Sequence, residues 1–166
     1  MFWEGERFME VQKRKLEINL KTIGTGVILF GVWTFVKFAV NFMLFGSELD
    51  EAIGEKARLA FIIVAWIGAS LDALSHLYIG VSAKAEGGGK RNGRFFLGLT
   101  AVITVLYALV LPVDAAAIFL QQTSLTALIV TFIIDATATA FLAEVFLYTV
   151  KLRRLRKETE AGGAAA

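Results

Sequence analysis

The sequence has no cysteine, one histidine and one proline among its 166 residues. Without cysteine the chain cannot form disulfides, use a thiol as a nucleophile, or bind zinc or an iron–sulfur cluster through thiolates. The single histidine, His76, excludes bis-histidine haem ligation within one chain. These absences predict a protein that holds no cofactor.

Long polar segments are also scarce. Hydrophobic residues make up 57% of the chain, whose mean hydropathy is +0.66. They are concentrated in four stretches, each longer than the roughly 20 residues that cross a hydrocarbon core. These stretches are apolar on all sides, whereas the helices of a soluble bundle would each carry a polar face. The four stretches are residues 22–45, 59–83, 95–120 and 125–150.

This pattern predicts an all-α membrane protein whose four transmembrane helices form a bundle. We expect one domain over residues 1–160, followed by a low-complexity tail or cloning remnant at residues 161–166. The protein would then be a multi-pass integral membrane protein in contact with the lipid bilayer. We expect it in the inner membrane of a prokaryotic cell.

The distribution of lysine and arginine predicts the orientation. Of the 17 basic residues, fourteen lie in the N-terminal arm, between the second and third stretches, or in the C-terminal tail. Basic residues concentrate on the cytoplasmic side of membrane proteins. Both termini are therefore expected in the cytoplasm, where the basic residues would face anionic headgroups and not nucleic acid.

Three further segments carry predictions. Residues 1–20 are expected to form an amphipathic interfacial helix, and the first stretch would serve as its own insertion signal without a cleavable leader. Residues 84–94 contain a glycine run and are expected to form a flexible inner loop. Pro112 should kink or end the third helix near Leu111, because proline removes a backbone donor. Asp114 would then cap a short outer helix or line a mouth of the bundle.

Five ionisable residues stand inside the apolar stretches, where a charge is costly and therefore faces protein or water. Counting about 1.5 Å per residue from the basic edge of each stretch places Lys37 level with Asp135, and His76 close to the depth of Glu144. Asp72 falls nearest to the midplane, with no basic residue at its depth. The candidates for transport or ion pairing are Lys37, Asp72, His76, Asp135 and Glu144.

The spacing of two of these residues indicates a partner. Asp135 and Glu144 are nine residues apart, which is about half a turn out of phase on one helix. They cannot both face the axis of one bundle unless the helix twists or breaks between them. This predicts a homo-oligomer or a partner membrane subunit. Small residues such as Ala136 and Ala140 would allow close approach, within the chain or across an interface.

Two functions fit the charged residues. A desolvated carboxylate at Asp72 can exchange a proton, and His76 one turn away can pass it on. This predicts an oligomeric channel or transporter for protons or small cations. The alternative is an ion-pair network that only fixes helix register in a non-catalytic membrane subunit or scaffold.

Other chemistry has weaker support. Asp72, His76 and Glu144 could together hold a hard divalent metal ion, and the residues alone do not decide this. Ser75 adjoins His76, but neighbours on a helix diverge by about 100°, so we expect no hydrolase and no other enzyme. A voltage sensor needs repeated arginine or lysine along one span, and the fourth stretch has none.

Overall fold

The chain forms four helices in a computed structural model that describes residues 2–45, 55–120 and 125–163. Within these ranges there is no strand, and the all-helical prediction is confirmed. Each helix is long and apolar enough to cross a membrane, as expected of a multi-pass membrane protein. The helices are α1 (Phe2–Phe45), α2 (Glu55–Gly87), α3 (Arg94–Leu120) and α4 (Leu125–Gly163).

The four helices meet at one end of the bundle. Hydrogen bonds there join the first half of α1, the end of α2 and the second half of α4, with the α2–α3 connection between them. We call this the basic end, because the fourteen clustered basic residues lie on the segments that meet there, and the opposite end the far end. α1 packs most extensively against α2, and α4 packs against α3 and α1.

The buried apolar core lies in the half of the bundle next to the basic end. Leu20, Ile79 and Leu142 are fully buried there and belong to one cluster. Toward the far end, large apolar side chains such as Met43 and Val113 are exposed. Most of the fully buried residues that the structure describes therefore lie in the basic half.

Glycines allow α1 and α2 to pack closely. A Cβ atom at Gly80 would lie 2.5 Å from the Gly24 carbonyl oxygen, and one at Gly31 would lie 2.6 Å from His76 Cβ. A Cβ at Gly26 would instead meet the Phe141 ring of α4 at 2.5 Å. Small residues that permit such approach are typical of membrane helix pairs. In span one these glycines therefore serve packing within the chain.

The N-terminal arm is part of α1, which runs without interruption from Phe2 to Phe45. The described part of residues 1–20 therefore forms no separate interfacial helix. Leu16 is buried in the same cluster as Leu152 of α4, and Glu17 accepts a hydrogen bond from Arg156 Nη2 at 3.1 Å. Because its apolar side packs on the tail of α4, the arm extends the bundle beyond the basic edge.

Two predictions about helix ends need correction. α3 continues through Pro112 to Leu120, so it does not end near Leu111 and Asp114 lies inside it rather than at a cap. Proline is tolerated inside membrane helices where neighbouring groups or small backbone adjustments satisfy the freed carbonyl. The side chain of Asp114 lies outside the described residues.

The connection between α2 and α3 is shorter and better ordered by hydrogen bonds than the predicted flexible loop. Gly89 N donates to the Glu86 carbonyl at 3.1 Å, and Lys90 N donates to the Ala85 carbonyl at 3.0 Å. Gly89 has a φ of 94°, the left-handed conformation that closes a helix in a Schellman motif. The glycine run therefore ends α2, and only residues 88–93 lie between the two helices.

Candidate functional site

Asp72, His76 and Tyr107 meet near the middle of the bundle. The Tyr107 hydroxyl donates a hydrogen bond to Asp72 Oδ2 at 2.9 Å and so joins α3 to α2. His76 Nδ1 lies 3.0 Å from the Asp72 carbonyl oxygen and 3.5 Å from Asp72 Oδ1. The imidazole also meets the Tyr107 ring edge to face, with centroids 5.2 Å apart. Each of the three side chains thus contacts the other two residues.

His76 is fully buried in this cluster. Gly31 of α1 leaves room for it, since a side chain there would collide with His76 Cβ. A carbonyl oxygen only accepts hydrogen bonds, so its position beside Nδ1 assigns the proton of the neutral ring to Nδ1. Nε2 is then an acceptor, and it has no hydrogen-bond partner among the described residues. A buried histidine nitrogen with a free lone pair can take up a proton.

Lys37 and Asp135 lie together on the far side of this cluster. Lys37 Nζ is 3.7 Å from Asp135 Oδ2, which joins α1 to α4. The distance agrees with the pairing that their equal depth predicts. Their function is a separate question, which the distance does not decide.

The charged side chains of the far half keep part of their surface exposed. The exposed fractions are 32% for Lys37, 23% for Asp135 and 24% for Asp72. Contact between a charge and lipid tails is costly at this depth. We therefore expect water or another protein surface to cover these groups in the membrane.

Further polar side chains lie between His76 and the basic end, within the buried core. Ser82, Thr100 and Glu86 are buried there, and Thr100 donates to the Phe96 carbonyl at 2.8 Å. Thr149 is also buried, and its Oγ1 has no hydrogen-bond partner among the described residues. The core of the basic half thus contains polar side chains among mostly apolar ones.

The predicted pairing of His76 with Glu144 is not formed. His76 turns toward Asp72 on its own helix, and no ion pair or hydrogen bond joins Glu144 to any described residue. Glu144 lies about 100° around α4 from the buried Val145 and about 160° from the buried Leu142. It therefore points away from the buried face of α4, half-buried and without a hydrogen bond or ion pair to the part of the chain that the structure describes.

The basic end holds a second polar cluster, centred on the fully buried carboxylate of Glu86. Arg153 of α4 binds it in a bidentate manner, with Nε 2.9 Å from Oε1 and Nη2 2.9 Å from Oε2. Asn92 N donates to Glu86 Oε2 at 2.8 Å. Arg156 Nη2 donates to the Glu86 carbonyl at 2.9 Å and to Glu17. This basic-end clamp joins α1, α2, α4 and the connection before α3.

Sequence reasoning missed Tyr107 and the whole of the basic-end clamp. The depth count contained a signal for Tyr107, which lies about 20 Å from Arg94 when Asp72 lies about 18 Å from Lys84. A phenol is uncharged, however, so a comparison of charged residues does not include it. The clamp gave a weaker signal, a single acidic residue, Glu86, within a run of basic ones.

The three residues that could have held a metal ion do not converge. Among the residues that the structure describes, no group of three or more histidine, aspartate or glutamate side chains could hold a metal ion. Asp72 and His76 are adjacent, but Glu144 points elsewhere. The cluster of Asp72, His76 and Tyr107 is better suited to hydrogen bonding and proton exchange.

No family model, curated protein or solved structure matches this chain. The function must therefore be argued from the site itself.

Proposed function

We propose that the chain is the unit of an oligomeric membrane transporter or channel for protons or small cations, and that Asp72 is its central site. The observation that carries the proposal is the contact of Asp72 with Tyr107 and His76 midway along four apolar helices. A partly exposed carboxylate at that depth attracts a cation and can hold a proton.

The packing of the bundle supports a directional path. Asp72, Lys37 and Asp135 lie toward the far end and keep some exposure. Beyond His76 the core closes around Ile79 and Leu142. A proton entering from the far end would reach Asp72 and then the free Nε2 of His76. To pass further, the proton would need the helices of the basic half to separate enough to expose the buried polar side chains there.

The orientation and assembly belong to the same proposal. Both termini are cytoplasmic, so the far end faces the outside, because the fourteen clustered basic residues mark the cytoplasmic face. Glu144 faces a second copy of the chain or another subunit, because a carboxylate about 10 Å inside the hydrocarbon edge needs a polar partner.

A non-catalytic subunit or scaffold is the second candidate, and the unpartnered Glu144 is the observation that favours it. Liposomes of the purified protein separate the two. We expect dissipation of an imposed gradient of protons or of one small cation at a rate above that of protein-free vesicles. Absence of flux for protons, Na⁺, K⁺ and divalent cations would favour the scaffold.

A further inference from the structure

A continuous groove runs along the lipid-facing side of α1. Its upper part, nearer the far end, has a volume of about 620 Å³. The lining of this part is apolar and includes Leu29, Trp33 and Val36 of α1 with Phe141 of α4. Its lower part, nearer the basic end, has a volume of about 690 Å³ and shares the lining residues Leu29 and Phe141 with the upper part. The two parts therefore form one groove that runs from the far half toward the basic end.

Two lysines line the lower part of the groove. Lys21 of α1 and Lys84 of α2 both border it, and both side chains are exposed. Neither forms an ion pair with any residue that the structure describes. Both ammonium groups are therefore available to an anion bound in this part of the groove.

The backbone of α1 keeps this groove in shape. Gly26 lies against the Phe141 ring, and a Cβ atom there would approach that ring to 2.5 Å. The aliphatic part of the Lys84 side chain lies against Gly24. A Cβ atom added at Gly24 would lie 3.0 Å from Lys84 Cγ. The aromatic wall and the lysine are thus both set by glycines of α1.

We infer that this groove binds an anionic phospholipid, with the headgroup phosphate between Lys21 and Lys84 and an acyl chain along Leu29, Trp33 and Val36. The order of the lining matches that of a lipid, because the lysines lie at the basic edge and the apolar wall lies deeper. Basic pockets between membrane helices on the cytoplasmic side are suited to anionic headgroups. This inference does not depend on the proposed transport function.

Trp33 provides a direct reporter, because it lines the groove and is 48% exposed. The test uses a full-length variant with Trp3→Phe and Trp66→Phe, so that Trp33 is the remaining tryptophan. It is reconstituted in phosphatidylcholine vesicles that contain a minor fraction of brominated phosphatidylglycerol or brominated phosphatidylcholine. Bromine quenches tryptophan on contact, so the quenching by each lipid reports its occupancy of the groove.

Brominated phosphatidylglycerol should quench Trp33 more than brominated phosphatidylcholine at the same fraction. In the Lys21→Ala/Lys84→Ala variant the preference should fall by about fivefold for each lysine removed. Lys90→Ala is the matched control, because it removes an exposed charge from the same end outside the groove. Circular dichroism checks that the variants keep their helix content, and Lys21→Gln/Lys84→Gln provides a second neutral pair.

Three results would overturn the inference. One is equal quenching by the two brominated lipids. A second is a preference that survives both lysine pairs or that is lost equally in Lys90→Ala, which would indicate general surface charge. The third is loss of the preference on adding inorganic phosphate but not chloride of the same ionic strength, which would identify a site for the free anion.

Discussion

Lys37 and Asp135 illustrate how charge is accommodated at the scale of single residues. Each is within reach of the other in the far half of the bundle, and each remains partly exposed. Burying a lone charge is costly, whereas a pair offsets part of that cost. The pair therefore stabilises the approach of α1 to α4.

A double-mutant cycle tests this pairing. Lys37→Ala alone should destabilise the bundle, because it removes the cation beside Asp135, and adding Asp135→Ala should recover part of the loss. We expect a coupling energy of roughly 0.5–3 kcal/mol. The measurement is reversible unfolding in mixed micelles, and strictly additive losses would show that the two side chains do not interact.

Some residues of the site could be predicted from the sequence, whereas others could not. Lys37 and Asp135 could be paired in advance because helix rise fixes depth and both carry charge. The partner of Asp72 could not be found from charge, since Tyr107 is neutral and its hydrogen bond depends on the rotation of α3. The orientation of His76 toward Asp72 and not Glu144 likewise depends on helix rotation, which depth alone does not give.

At the scale of helices, the basic-end clamp makes a sharp prediction about arginine. Arg153 binds the buried Glu86, whereas Arg154 pairs with Glu158 at the surface and is 81% exposed. Arg153→Ala should cost about 3 kcal/mol of unfolding free energy, because it leaves a buried carboxylate short of its partner. Arg154→Ala should cost less than about 1 kcal/mol. Equal losses in thermal or denaturant unfolding would contradict the role given to the clamp.

The packing of α1 on α2 gives a second prediction at this scale. Gly80→Ala should destabilise by about 1–3 kcal/mol, because the new methyl would collide with the Gly24 backbone. Gly68→Ala is the control on the same helix, since no atom lies within 4 Å of a Cβ there. It should be neutral or slightly stabilising. The two glycines would have no distinct roles if unfolding showed the same change for both.

Helix boundaries were the least predictable feature at this scale. The apolar stretches predict the membrane spans, but they do not show that α1 and α4 continue past the ends of those spans. A helical arm with mixed charge could equally lie along the membrane surface. Leu16 and Leu152 become core residues only when the arm and the tail pack together. Pro112 was overestimated as a helix stop, since membrane helices tolerate proline.

For the whole molecule, the orientation can be measured in this cysteine-free chain. Lys90→Cys is the suitable probe, because Lys90 is exposed at the basic end and the neighbouring Gly89 needs its positive φ. We expect no labelling by an impermeant reagent added outside intact cells, and full labelling after permeabilisation. Labelling in intact cells would reverse the proposed topology.

The bundle as a whole places a titratable cluster next to the buried core that lies toward the basic end. Four apolar helices and their antiparallel order follow from hydropathy and short connections, and could be predicted. The uneven packing could not, because it depends on which glycines face a neighbouring helix and on the clamp at the basic end. The proposed transport path follows this asymmetry.

The central claim is that Asp72 lies on that path, and proton or cation flux into liposomes tests it most directly. Asp72→Asn keeps the size of the side chain and a hydrogen-bond acceptor for Tyr107, but removes the charge. Glu158→Gln is the control, because it neutralises an exposed carboxylate at the basic end that pairs with Arg154 at the surface. We expect assembled protein in both cases, with flux sharply reduced in Asp72→Asn and retained in Glu158→Gln. Wild-type flux in Asp72→Asn would contradict the account and move the path away from this cluster.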